Sequence, residues 1–233
     1  MTGGTRLKIG LTGGMASGKS TVARLLGEAG CEVVDADRLV AQLYAAGGAG
    51  TEAVRQVAGD EVLSPEGAVD HATLAARLFT DPELRAHIEA AIHPLVRQRF
   101  EAIVEESTAD IVVLEATLLV EAGYPPYFDL VVTVEAAAET RLARAIARGL
   151  TEAQARARLI AQGDGDRRRE GADIRIDNDG TLADLATAVD RLMASFSGQL
   201  ADSNLDSAAA SDCKPDPEAE LETEPEPDAE TPS

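Results

Sequence analysis

Residues 9–26, IGLTGGMASGKSTVARLL, decide the fold. Four residues separate Gly13 from Gly18, and Lys19 and Ser20 follow, giving the pattern G-x-x-x-x-G-K-S. Residues 7–12 before it are a short apolar run. Residues 20–29 after it carry Val22, Leu25, Leu26 and Ala29 at helical spacing until Gly30 stops the pattern. A buried strand therefore feeds a glycine loop that opens a helix. In such a loop, backbone N–H groups approach an anion closely and the positive end of the helix dipole faces the same point. Lys19 reaches the β and γ phosphates of a nucleotide, and the Ser20 hydroxyl ligates Mg²⁺. The pattern says where phosphates sit and leaves open what accepts one.

Further short apolar runs follow at 32–35 (EVVD), within 111–120 (IVVL), at 128–134 (FDLVVTV) and at 174–177 (IRID). Ten or more residues of helical or loop sequence separate each from the next. That alternation predicts an α/β fold with a five-stranded parallel sheet and helices on both faces. The gap from about 38 to 108 is far longer than one crossover needs and reads as a helical insertion. Within it, Asp81-Pro82 reads as an N-cap followed by proline in the first turn, and Pro94 is expected to kink or break the last helix near His93. A second insertion, about 139–172, is rich in arginine. No internal repeat is present.

The chain has 233 residues and a formal charge of −20. Residues 201–233 hold eleven acids, one base and half of the ten prolines, with no apolar stripe. Such a segment cannot bury enough surface to offset its ordering entropy, so a disordered acidic tail is expected beyond a folded P-loop domain of residues 1–200. Neither part carries the basic stripe of a nucleic-acid binder. No apolar stretch approaches the ~20 residues of a membrane span, and the N-terminal apolar run is too short for a signal peptide. Cys31 and Cys213 suggest neither a disulfide framework nor a metal site. The expectation is a cytoplasmic protein, with no protein partner legible.

Several residues could carry chemistry. Asp35 and Asp37 end the second strand, where α/β sheets meet their ligands. An acid there can accept a hydroxyl proton or help hold Mg²⁺, and Asp37 can equally cap a helix starting at Arg38. Glu115 ends the third strand, where an acid can contact Mg²⁺ or simply face solvent. Arg141, Arg144 and Arg148 share one side of a helix. A charge row is usually a solvated face, but a locally basic segment in an acidic domain suits a lid over polyphosphate.

Together the motifs resemble the dephospho-CoA kinase family across residues 7–200. The matching elements are LTGG-x-x-SGKS from Leu11 to Ser20, Asp35-Ala36-Asp37, His93-Pro94 with Arg97, and Thr117-Leu118-Leu119-Val120-Glu121. Arg144, Arg148, Gln162, Arg168, Ala172-Asp173, Asn178 and Gly180 continue the order. Two positions depart from the family pattern: Thr117 stands for a proline and Ala16 for a glycine. The resemblance implies transfer of the ATP γ-phosphate to the 3′-hydroxyl of dephospho-CoA, giving coenzyme A, with Mg²⁺ bound at Ser20. It implies a nucleotide site at Gly13, Gly14, Ala16, Ser17, Gly18, Lys19, Ser20, Thr21, Arg144, Arg148 and Asn178. It implies an acceptor side built from Asp37, His93, Arg97, Leu118 and Glu121. Asp37 is the implied base, with Lys19 and Arg148 balancing phosphate charge. A nucleotide-dependent switch, the rival of another class, would need a base-reading motif such as N-K-x-D, and the sequence has none.

Overall fold

The computed structural model describes residues 6–211, and the side chains of 6–200. In chain order the strands and α-helices are β1 (Leu7–Gly13), α1 (Lys19–Glu28), β2 (Glu32–Asp35), α2 (Ala36–Leu43), α3 (Ala49–Ala58), α4 (His71–Thr80) and α5 (Pro82–Glu106). Then come β3 (Ile111–Glu115), β4 (Leu130–Glu135), α6 (Ala138–Ala147), α7 (Glu152–Ala161), α8 (Asp166–Glu170), β5 (Ile174–Asp177) and α9 (Leu182–Ser211). All strands are parallel, in the order β2-β3-β1-β4-β5. The sheet expected from five apolar runs is therefore present, with β1 at its centre.

Strand side chains alternate between two cores, as a period of two requires. Leu7, Ile9, Leu11, Ile111, Val113, Val132 and Val134 pack with α1 and α9 on one face. Val112, Leu114 and Val131 pack with α2–α5 on the other. Gly10 breaks the row of side chains on β1 for a reason. A Cβ there would lie 2.9 Å from both Leu119 and Phe128, which pack across the strand in its place.

The segment between β2 and β3 is helical throughout, apart from its turns. Asp81 caps α5, accepting from Leu84 N at 2.9 Å, with Pro82 in the first turn. The expected break at Pro94 does not occur: α5 runs through it for 25 residues. Pro94 is exposed, as is Ala90, whose carbonyl loses the proline's missing donor, so water can serve that carbonyl. Meanwhile Leu84, Ile88, Ile92, Val96, Phe100 and Val104, one per turn, hold the helix to the sheet.

Helix α9 carries Leu185, Val189, Leu192 and Phe196 as one buried stripe. It continues to Ser211, so the segment read as an acidic tail from 201 begins inside a helix. The rest of that segment, residues 212–233 with Cys213, lies outside the described residues. Cys31 is buried, and desolvation pushes its thiol up to about 11, which leaves it inert at neutral pH. Among the described residues, no helix is long and apolar enough to cross a membrane. Phe196 is fully buried. Phe196→Ala is expected to lower stability by about 3–5 kcal/mol, read by denaturant melts; a loss under 1 kcal/mol would show that α9 is not part of the core.

Candidate active site

The loop after β1 is shaped by contacts from behind. Gly18 has φ 103°, and a Cβ there would lie 2.0 Å from Asn178 Nδ2. That approach lets Asn178 donate to the Ser17 carbonyl at 2.7 Å. Arg144 Nη1 donates to the same carbonyl at 3.3 Å. A Cβ on Gly14 would collide with the Arg141 guanidinium, 2.5 Å away. Arg141 Nε donates to the Met15 carbonyl at 2.9 Å, and Met15 N–H donates to Gln162 Oε1 at 2.8 Å. Ala16 has φ 59°, a left-handed conformation that disfavours a Cβ by about 1 kcal/mol. Its methyl is packed against Ala145 and Ala155 of α6 and α7, which offsets that strain.

Lys19, Ser20 and Glu115 form one cluster. Lys19 Nζ lies 2.8 Å and Ser20 Oγ 2.9 Å from the same Glu115 oxygen. The Lys19 and Glu115 side chains are mostly buried, at 15% and 12% exposure. Glu115 is thus no solvated strand end; it holds the Lys19 ammonium and the Ser20 hydroxyl together.

Two concave sites meet here. A polar cleft of about 250 Å³ is lined by Gly13, Gly14, Ala16, Gly18, Lys19, Ser20, Asp35, Glu115 and Arg148. A cavity of about 520 Å³, walled mainly by apolar side chains of α2, α5 and the segment after β3, lies beside it. Asp37 and Thr117 line both. The Thr117 carbonyl accepts from the buried Thr12 hydroxyl at 3.1 Å, which fixes this dividing wall without the family's proline.

The two aspartates divide their work. β2 ends at Asp35, and Asp35 caps α2, accepting from Asp37 N at 2.8 Å and Arg38 N at 3.4 Å. The capping role weighed for Asp37 therefore belongs to Asp35. Asp37 sits in the first turn of α2, exposed to both sites.

The remaining expected residues separate into those at the cavities and those behind them. Ser17 is buried, and Thr21 N–H is spent on the Gly18 carbonyl; neither lines the cleft. Arg144 and Asn178 hold the loop's backbone and do not line the cleft either. His93 and Leu118 line the large cavity, whereas Arg97 and Glu121 do not. Arg97 lies over the Tyr127 ring at 4.4 Å, and Glu121 is exposed elsewhere. Arg141, expected on the lid's phosphate-facing row, is 6% exposed and lies beneath Gly14. Arg168 is 2% exposed and pairs with Glu135 at 2.8 Å. Burial pushes the Glu135 carboxyl up, but hydrogen bonds from Arg168 and Thr133 and the charges of Arg168 and Arg169 outweigh it and hold it low. Tyr124, on the large cavity, was not singled out from the sequence, and Gln162 entered only through the resemblance, whereas Glu115 was read as a possible Mg²⁺ contact. Glu115 gave the strongest signal, an acid ending a buried strand.

A strand, an anion-cradling loop with its lysine, a carboxylate at the next strand end and a separate acceptor-sized cavity define a P-loop kinase of small molecules. The match to the dephospho-CoA kinase family model spans residues 7–184. A dephospho-CoA kinase of Streptomyces avermitilis is 44% identical over 185 residues, covering 78% of this chain and 90% of that protein. One from Mycolicibacterium paratuberculosis is 41% identical over 181 residues, covering 77% of this chain and 44% of that longer protein. The crystal structure of TT1252 from Thermus thermophilus matches with a TM-score of 0.70 at 34% identity, covering 82% of this chain and 97% of that one. The chain belongs to the dephospho-CoA kinase family.

His93 supplies a pH test of the cavity wall. Desolvation and then the Arg97 charge lower its pKa, against an opposing pull from Glu89. Folding therefore disfavours its protonated form, while the unfolded chain protonates near 6.5. Stability is lost as pH falls from that value through the lower folded pKa. His93→Gln is expected to flatten the fall in melting temperature between about pH 7 and pH 5. An equally steep fall in the variant would remove His93 from the titration.

Proposed function

We propose that the chain transfers the γ-phosphate of ATP to the 3′-hydroxyl of dephospho-CoA, with Asp37 as the base. The observation that carries this is the position of Asp37 on the wall shared by the phosphate cleft and the acceptor cavity. An acid there can meet a hydroxyl on one side and a phosphorus on the other. The cavity's volume and largely apolar wall suit a nucleoside-sized acceptor. The hydroxyl oxygen attacks the γ-phosphorus, the bond to ADP breaks, and the hydroxyl proton passes to the Asp37 carboxylate. Lys19 and Arg148, both on the cleft, balance charge as it spreads over the transferring oxygens.

The donors present fit Mg²⁺. Ser20 Oγ and Glu115 supply hard oxygens within 2.9 Å of each other, and Asp35 and Asp37 line the same cleft. Among the described residues, no group of three acids, histidines or cysteines forms a closed metal cage. Mg²⁺ there would be held by one or two protein oxygens together with nucleotide phosphates. When bound, Mg²⁺ neutralises phosphate charge. Arg148, at the C-terminal end of α6, lines the cleft, and the arginine-rich segment that carries it would act as a lid that limits access of water to the γ-phosphate.

Asp37→Asn is expected to lower kcat by about a hundredfold or more, with melting temperature little changed, because the cap belongs to Asp35. Asp35→Ala is expected to lower stability by about 1 kcal/mol. Turnover and thermal melts of both variants check the division. Near-normal kcat in Asp37→Asn would refute the base assignment.

A further inference from the structure

Gln162, the C-cap of α7, stands between the large cavity and Met15, which lines the polar cleft. Its Oε1 accepts from Met15 N–H and from Arg141 Nη2, each at 2.8 Å. Both partners can only donate, so the amide atom between them must be oxygen, and the amino group is on the other arm. Gln162 also lines the acceptor cavity. Among the described residues, the only buried side-chain polar atom without a partner is Ser17 Oγ. The Gln162 amino group is therefore neither sealed in protein nor spent on a protein acceptor, and it remains available to a guest of the cavity that Gln162 lines.

We propose that Gln162 is a positioning residue that links the two substrates: its oxygen fixes the phosphate loop through Met15 and Arg141, while its amino group donates to the acceptor in the cavity. This rests on reading the cavity as the acceptor site. The oxygen's two bonds restrict the amide to one orientation, so the donor is set before the acceptor arrives. An acceptor that engages the amino group in turn restrains the amide, and with it the Met15 backbone. The two substrates then tighten each other's binding, and the coupling is reciprocal.

Two substitutions separate the arms of the amide. Gln162→Glu keeps an oxygen for Met15 and Arg141 and loses the donor. Gln162→Met keeps length and loses both. Steady-state kinetics with ATP and dephospho-CoA varied together, alongside melting temperatures, give the readout. In Gln162→Glu, the KM for dephospho-CoA is expected to rise about tenfold or more while the KM for ATP stays within about twofold. In Gln162→Met, both KM values are expected to rise, and because that residue is neutral, repulsion by a carboxylate cannot explain the acceptor effect. Mutual tightening between the substrates is expected to disappear in both. An unchanged KM for dephospho-CoA in Gln162→Glu overturns the inference, as does a drop in melting temperature with no separation of the two KM values. Wild-type protein inactive on dephospho-CoA refutes the acceptor reading and this inference with it. An active wild type without the separation refutes this inference alone.

Discussion

A loop that offers its N–H groups to an anion must point its carbonyls the other way, into protein. Buried carbonyls need donors, and everything else in this site depends on how those donors are supplied. Arg141 and Arg144 come from α6, and Asn178 comes from the turn after β5. None is closer than 120 residues in sequence to the loop it holds. The phosphate site is thus assembled only when β4 and β5 pair beside β1 and bring α6 and Asn178 behind the loop. Gly14 and Gly18 are glycine for the same reason: the guanidinium and the amide lie where a Cβ would be.

The buried Glu135–Arg168 pair ties α8 to the end of β4. Replacing such a pair by apolar groups is often neutral, but removing one partner strands a buried charge and costs about 3–5 kcal/mol. With Arg141 close by, Glu135 also tempers a concentration of positive charge, and burial together with Arg168 lowers the Arg141 pKa. Positive charge that remains exposed, at Arg148, faces the phosphate cleft. The same arginine-rich segment therefore builds a scaffold with its buried members and presents Arg148, among its exposed ones, to the cleft.

That division explains what could be read from the residues and what could not. The strands were legible because parallel strands buried on both faces are continuous apolar runs, and the glycine loop because its spacing follows from phosphate geometry. The arginine row at 141, 144 and 148 was legible as a helix face. Spacing does not say that the first of them lies under Gly14, since that depends on how α6 docks. Asp37 was read as a possible cap, and only the end of β2 at Asp35 gives the cap to Asp35 instead. Pro94 was expected to interrupt α5. Its exposure, and six anchors on the opposite side, are tertiary facts absent from any local pattern. Of the residues carried over from the resemblance, Arg97 and Glu121 line neither concave site, while Gln162 lines the large cavity and holds Met15 of the cleft wall.

If the wall carrying Asp37 divides a phosphate cleft from the site of one kind of acceptor, phosphate transfer must depend on that acceptor. The most direct measurement is ADP release by the wild-type chain with ATP and Mg²⁺, offered dephospho-CoA, AMP, gluconate, shikimate or no acceptor. It is paired with phosphorus NMR of the product. Fast release with dephospho-CoA alone, and a new monoester at the ribose 3′ position, is the expected result. Equal release without acceptor, or phosphate on another acceptor or another hydroxyl, would contradict it.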